Sequence, residues 1–215
     1  MCVKNLLWGV IGVAALLPTY LIRFSLIDIP FTLLEGMIAI LALIFLMKKA
    51  IRKELADSLK GFFTSKFTFP TLLLLIAATV AIFVSPNWMA ALGIWKSYFV
   101  EPILFFFIFI SVVKTKKQLG QVAAALITSA SFIALTAIIQ YFTGFGIPES
   151  YNLEGARRAT SFYSYPAAVG LFIAPILSLL LALFLLKGKK ILSSWKLTSL
   201  AGLATAAMIL ALLFA

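Results

Sequence analysis

The sequence has no histidine and one cysteine, Cys2, and its 215 residues include only seven acidic residues against eighteen basic ones. A single cysteine excludes an internal disulfide, a metal–thiolate site and a redox pair built from this chain alone. The lack of histidine removes the commonest acid–base group near neutral pH and the commonest zinc ligand. We therefore expect neither a metal nor a cofactor.

Charge of either sign is scarce, at 12% of residues, whereas 63% are hydrophobic and the mean hydropathy is +1.13. Ordinary soluble domains are only about 45–50% apolar, so a water-soluble fold of this size would lack a polar surface. The net charge of +11 does not indicate a nucleic-acid partner. Its basic residues form short clusters between apolar runs of about twenty residues, which is typical of membrane-protein loops.

These runs predict an all-α, polytopic transmembrane helical bundle of about seven spans, forming a single transmembrane domain over residues 1–215 with the lipid bilayer as its surroundings. The first run lacks a small-residue cleavage site, so we interpret it as a retained span and not a signal peptide. Segment 48–69 alternates apolar and charged residues at helical spacing, which predicts a cytoplasmic amphipathic helix on the membrane surface. The predicted spans are residues 5–22, 27–47, 70–84, 90–113, 119–141, 166–186 and 197–215.

The basic residues predict the orientation, because Lys and Arg in short loops collect on the cytoplasmic side. With the N-terminus in the cytoplasm, the exterior receives only Arg23, Arg157 and Arg158, and Lys96 falls inside the fourth span. The other fourteen of the eighteen basic residues are then cytoplasmic: Lys4, Lys48, Lys49, Arg52, Lys53, Lys60, Lys66, Lys114, Lys116, Lys117, Lys187, Lys189, Lys190 and Lys196.

Three ionisable residues, Glu35, Lys96 and Glu101, lie inside predicted spans, where a charge costs about 2.5–3.5 kcal/mol on insertion scales. At 1.5 Å per residue, Lys96 lies roughly 9 Å below the outer surface, Glu35 roughly 12 Å and Glu101 roughly 17 Å. In one interpretation the glutamates pair with a snorkelling Lys96 and join the second helix to the fourth. In the other they line a polar cavity open to the outside.

The spacing of Lys96 and Glu101 bears on this choice. Five residues correspond to about 140° around an α-helix, so the two are not a natural pair within one helix. A kink at Pro102 would free the Tyr98 carbonyl and change their relation.

The longest predicted exterior loop, residues 142–165, contains the adjacent arginines Arg157 and Arg158. Arginine on this side opposes the orientation rule, and a guanidinium presents forked donors that match phosphate oxygens. The two arginines therefore indicate either a phosphate-bearing substrate or, as the alternative, contacts with lipid headgroups or with Glu149 and Glu154 of the same loop.

Three stretches carry a family resemblance: IPFTLLEG at 29–36, ALGIWKSYFVEPILFF at 91–106 and RRATSFYSYPAAVGLFIAPI at 157–176. Together they resemble the O-antigen ligase and polymerase family, multispanning enzymes that handle polyprenyl-diphosphate-linked glycans. The third is the most specific, because hydropathy alone does not generate an arginine, a Thr-Ser-aromatic run and a proline at the start of an apolar helix.

The resemblance implies transfer of a glycan from its polyprenyl diphosphate to an acceptor sugar, without a metal, at the outer face of the bacterial inner membrane. The family's diphosphate-binding arginine falls on Arg158, with Arg157 as the alternative register. Fixed guanidinium groups would stabilise the negative charge on the departing diphosphate. The partners implied are a polyprenyl-diphosphate-linked glycan and, as further candidates, other membrane subunits.

Two departures from the family pattern matter. Ala167 stands where members usually have asparagine after the proline, and complete members continue into an exterior domain that supplies another arginine and a histidine. We therefore expect a fragment of a longer protein that is inactive alone, which leaves its enzymatic status open. The competing functions are a small transporter or channel, with Glu35, Lys96 and Glu101 as its substrate site, and a non-catalytic membrane scaffold.

Overall fold

The computed structural model describes residues 2–26, 29–153, 156–191 and 195–215, and side chains within 6–24, 31–48, 54–153, 156–185 and 199–215. About 81% of the structure is helical, with almost no strand among the residues that it describes. The helical fold class predicted from the apolar runs is therefore confirmed. Several side chains with predicted positions lie outside the described ranges: Lys4, Lys49, Arg52, Lys53, Glu154, Lys187, Lys189, Lys190 and Lys196.

The chain divides into two compact units, residues 1–122 and 123–215, and each is described by itself. The first unit contains α1 (Cys2–Ala15), β1 (Arg23–Leu26), β2 (Ile29–Thr32), α2 (Leu33–Met47), α3 (Lys49–Phe63), α4 (Thr68–Val84), α5 (Trp88–Trp95) and α6 (Glu101–Val112). Helix α7 (Lys116–Thr143) begins in this unit, and the second unit contains the rest of it with α8 (Pro166–Ile191) and α9 (Trp195–Phe214). The single transmembrane domain stays a prediction.

Three helices within the described residues are long and apolar enough to cross a membrane: Trp88–Val112, Lys116–Thr143 and Pro166–Leu185. A fourth span results if the pair Glu54–Phe63 and Thr68–Val84, which is bent by 92°, counts as one. Leu6–Ala15, Leu33–Met47 and Ser199–Phe214 are apolar but shorter. These helices are compatible with a membrane protein, and the count of seven spans stays a prediction.

Helix α2 begins at Leu33, six residues after the start of the predicted second span. The preceding residues form an antiparallel hairpin in which Arg23 is opposite Thr32 and Phe24 is opposite Phe31. Thr32 then caps the helix, because its hydroxyl accepts a hydrogen bond from the Glu35 N–H at 3.2 Å. A threonine N-cap three residues before a glutamate is a strong helix-start signal, which explains why α2 begins here.

Helix α3 lies within the segment predicted to be amphipathic, and it packs on α6. The rings of Phe62 and Phe107 meet edge to face with centroids 5.5 Å apart. One turn away, the hydroxyls of Ser58 and Ser111 share a hydrogen bond of 3.2 Å. These contacts show which face of α3 is covered by α6, and its placement on a membrane surface stays a prediction.

The two units have separate apolar cores. In the first unit α1 packs on α2, and a Cβ on Gly9 would lie only 2.5 Å from the Leu41 Cδ1, so the glycine permits this close approach. In the second unit α8 packs on α9, with Val169 and Ile173 of α8 and Met208 of α9 fully buried. Residues four apart lie on the same face of a helix, which explains why Val169 and Ile173 are buried together.

Candidate functional site

The first candidate site is a polar cluster at the N-terminal end of α2. Lys96 Nζ lies 2.8 Å from Glu35 Oε2, and the Ser97 hydroxyl donates to Glu35 Oε1 at 2.8 Å. The ammonium also lies 4.1 Å from the centroid of the Phe31 ring, within the range of a cation–π interaction. Both carboxylate oxygens of Glu35 are therefore occupied by donors from the segment that follows α5.

A π turn sets the position of Glu101 relative to Lys96. The backbone forms a π-helical turn over Lys96–Val100, and the Glu101 N–H donates to the Lys96 carbonyl five residues earlier. Pro102 follows and has no N–H with which to continue the α-helical ladder. An i→i+5 bond places residues 96 and 101 on nearly the same side of the helix, so the separation of about 140° for an α-helix does not apply. The π turn therefore changes the side of the helix on which Glu101 lies relative to Lys96.

The geometry of this cluster bears on the two interpretations of the intramembrane charges. The Glu35 side chain is 8% exposed and that of Lys96 is 30% exposed. A buried carboxylate with two donors on its oxygens joins α2 to the segment between α5 and α6. The observed pair therefore matches the structural interpretation, and the polar cavity lined by Glu35, Lys96 and Glu101 stays a prediction.

The second candidate site is the loop that follows α7, where Arg157 binds the end of that helix. Its Nη1 donates to the Tyr141 carbonyl at 2.8 Å and to the Phe142 carbonyl at 3.4 Å, and its Nε donates to Asn152 Oδ1 at 2.9 Å. The last carbonyls of a helix lack partners within the helix and carry partial negative charge, so a guanidinium is a favourable cap. Arg157 thus stabilises the end of α7.

Gly144 permits this cap. Its N–H donates to the Gln140 carbonyl at 2.7 Å and its φ is +72°, the left-handed conformation in which many helices end. A Cβ at this position would lie 3.1 Å from Arg157 Nη2. Glycine is therefore favoured here both by the backbone conformation and by the arginine packed beside it.

Arg158 has a different environment. Its side chain is exposed, and its Nε donates to the Ala215 carbonyl at 2.6 Å. Among the described residues, no hydrogen bond or ion pair engages its two terminal amino groups, and Glu149 does not pair with either arginine. The sequence left open whether Arg158 or Arg157 corresponds to the family's diphosphate-binding arginine. The two residues differ, because the Arg157 guanidinium is bonded to carbonyls, whereas the terminal nitrogens of Arg158 have no such partner among the described residues.

The backbone around Arg158 is held by three different elements. The Arg158 N–H donates to the Tyr151 carbonyl of the loop at 2.9 Å, and the Ala159 N–H donates to the Phe214 carbonyl of α9 at 2.7 Å. The Thr160 N–H donates to Gln140 Oε1 of α7 at 3.2 Å. Three consecutive amides bound to a loop, α9 and α7 fix the path of the chain directly beside the exposed guanidinium.

Gln140 was not among the residues that the sequence analysis selected. An uncharged amide near the end of a predicted span gives no signal in charge or hydropathy. Its side chain nevertheless bonds to two consecutive loop residues, Thr160 and Ser161. Its position four residues before Gly144, the left-handed residue that ends α7, was the one available hint.

No group of three or more His, Cys, Asp or Glu side chains that could hold a metal ion occurs in the part of the chain that the structure describes. Comparisons with protein-family models, curated proteins and solved structures found no match to this chain.

Proposed function

We propose that this chain binds the diphosphate of a polyprenyl-linked glycan at the outer face of the bacterial inner membrane. In this proposal it is the donor-binding part of an O-antigen ligase-like glycan transferase. It crosses the membrane seven times with a cytoplasmic N-terminus, which places the 142–165 loop outside. The orientation is supported by the fourteen basic residues that would otherwise lie outside.

The observation that carries the proposal is the state of Arg158. Its backbone is held by hydrogen bonds, while its terminal guanidinium nitrogens have no partner among the described residues. A preorganised, exposed guanidinium loses little conformational entropy when it binds a phosphate with two parallel hydrogen bonds. The same residue is the one on which the family resemblance places diphosphate binding.

The proposed role of Arg158 in glycan transfer depends on the negative charge of the diphosphate. When a glycan leaves its lipid diphosphate, negative charge grows on the diphosphate oxygens as the glycosidic C–O bond breaks. Fixed guanidinium donors stabilise such charge more in the transition state than in the ground state. In this proposal Arg158 supplies those donors, and Arg157 holds the end of α7 on which the loop depends.

A scaffold role has one specific observation in its favour, and it concerns the first unit. The Glu35 carboxylate accepts from both Lys96 and Ser97 at 2.8 Å, which joins helices without leaving the carboxylate open to a ligand. We propose that this cluster is a structural tie between the second and fourth spans. This role is compatible with donor binding in the second unit.

Binding of a polyprenyl diphosphate to the purified protein in lipid nanodiscs tests the proposed function. We expect Arg158→Ala to weaken binding at least about tenfold, because hydrogen bonds to charged groups are worth about 1.5–3 kcal/mol. Arg23→Ala is the matched control, since Arg23 is an exposed arginine assigned to the same side, and it should bind as the wild type does. The matching polyprenol, which lacks the diphosphate, should bind equally to all three proteins. Equal diphosphate affinity for wild type and Arg158→Ala would refute the proposal.

A further inference from the structure

Gln140 binds the two-residue segment Thr160–Ser161 at both of its ends. Its Oε1 accepts from the Thr160 N–H at 3.2 Å, and its Nε2 donates to the Ser161 carbonyl at 2.8 Å. One side-chain amide thus replaces two hydrogen bonds that a strand or helix partner would otherwise supply. The contact lies two residues along the chain from Arg158.

Thr136 makes a second contact one helical turn further from the end of α7. Its hydroxyl shares a hydrogen bond with that of Ser161, and the Ser161 hydroxyl also lies 3.2 Å from the Ile133 carbonyl. Residues 136 and 140 are four apart and therefore lie on one face of α7. Next along the loop, the rings of Phe162 and Phe132 stack with centroids 5.6 Å apart. The loop thus follows this face of α7 for about two turns.

The Ser161 backbone is in a conformation that needs such support. Its φ is +51°, and it is the only residue other than glycine with a positive φ in the part of the chain that the structure describes. The Tyr163 N–H donates to the Thr160 carbonyl at 3.0 Å, so Ser161 is the second residue of a tight turn. A positive φ at this turn position normally belongs to Gly, Asn or Asp, so surrounding contacts must hold a serine there.

From these contacts we infer that Gln140 and Thr136 are positioning residues for the diphosphate site. This inference rests on the proposed function. Neither side chain touches the phosphate. Gln140 fixes the Thr160–Ser161 segment, and Thr136 holds Ser161 in its strained turn, so that the Arg158 guanidinium is presented in one orientation before the lipid arrives. A site whose supporting contacts are formed in advance binds more tightly than one that must order its loop on binding.

The test compares isosteric and conservative variants in the nanodisc binding assay. Thr136→Val keeps the shape and removes the hydroxyl, and we expect it to weaken binding of the polyprenyl diphosphate about fivefold. Thr136→Ser keeps the hydroxyl and should restore most of the affinity. Gln140→Met removes the contacts with Thr160 and Ser161, together with a weaker one to the Gly146 carbonyl at 3.4 Å, and should weaken binding about tenfold or more. Thr128→Val is the matched control, because Thr128 is an exposed threonine of the same helix whose hydroxyl bonds only within α7, to the Ala124 carbonyl.

A measurement without ligand separates this inference from the proposed function. Trypsin cleaves after Arg158 only when the loop opens, so the appearance of that cleavage product, followed by mass spectrometry, reports how firmly the segment is held. We expect cleavage to be faster in Thr136→Val and Gln140→Met than in wild type, Thr136→Ser and Thr128→Val. If the wild type binds no polyprenyl diphosphate, the proposed function is refuted. The cleavage rates then test by themselves whether Gln140 and Thr136 hold the segment in place. Unchanged cleavage in Gln140→Met, or equal loss of affinity in Thr136→Val and Thr136→Ser, would overturn the inference.

Discussion

Replacing Glu35 by leucine is expected to lower the free energy of unfolding by about 3 kcal/mol, the low end of the cost of removing one partner of a buried ion pair, because the remaining Lys96 side chain is 30% exposed. The Glu35 side chain is 8% exposed, and its loss leaves the Lys96 ammonium beside the Phe31 ring without its carboxylate. The Ser97 hydroxyl also loses its acceptor. Unfolding in mixed micelles with rising SDS, followed by tryptophan fluorescence, measures the change.

Two further variants identify the cause of this loss. Glu35→Leu combined with Lys96→Met should recover most of the stability, because a buried ion pair replaced as a whole by apolar side chains is often close to neutral. Glu54→Leu is the matched control, since Glu54 pairs with Lys114 at 3.1 Å but both side chains are about half exposed. Exposed pairs contribute about 0–1 kcal/mol, so this variant should unfold nearly as the wild type does. Equal losses for Glu35→Leu and Glu54→Leu would contradict the structural tie.

Arg157→Ala is expected to open the loop after α7 and leave the rest of the helix intact. The variant loses three guanidinium hydrogen bonds, two to carbonyls at the end of α7 and one to Asn152. We expect the cost of local opening to fall by about 3 kcal/mol, since bonds to charged groups are worth about 1.5–3 kcal/mol each and these are partly exposed. Hydrogen–deuterium exchange of the amides over residues 144–153 should then be about 100-fold faster.

Arg158→Ala is the matched control for this prediction, because it makes the same change one residue further along the chain. It removes one hydrogen bond, from Nε to the Ala215 carbonyl, and it leaves the contacts of Arg157 in place. Loop exchange should therefore remain close to that of the wild type, although diphosphate binding is weakened. If both variants accelerated exchange equally, the division of roles between the two arginines would be wrong.

Much of the helical structure could be predicted from the sequence because apolar runs are long and unambiguous. Helix α8 begins at Pro166, the residue that also begins the predicted sixth span, because proline suits the first turn of a helix and lacks the N–H that would be unsatisfied there. The start of α2 was displaced because hydropathy does not distinguish an apolar hairpin strand from an apolar helix. The local signal was the threonine cap at Thr32, with Glu35 three residues later.

The candidate sites were less predictable, since they depend on contacts between distant residues. The sequence placed Glu35 and Lys96 at similar depths, which is why pairing was one of the two interpretations. The relation of Lys96 to Glu101 depended on whether Pro102 produces a π turn, and spacing alone does not decide that. Gln140 and Thr136 gave no signal in charge or hydropathy, because their role depends on a loop about 20 residues further along the chain that returns to α7.

The central claim is that the loop bearing Arg157 and Arg158 lies outside the membrane, and cysteine labelling in intact cells tests it most directly. Cys2→Ser gives a protein without cysteine, into which Phe145→Cys introduces one thiol at a side chain that is 84% exposed. Lys66→Cys, at an exposed residue assigned to the cytoplasm, is the companion variant. We predict that a membrane-impermeant maleimide labels Phe145→Cys in intact cells and labels Lys66→Cys only after lysis. Labelling of Lys66→Cys in intact cells, with Phe145→Cys protected until lysis, would contradict the orientation and the proposed site of donor binding together.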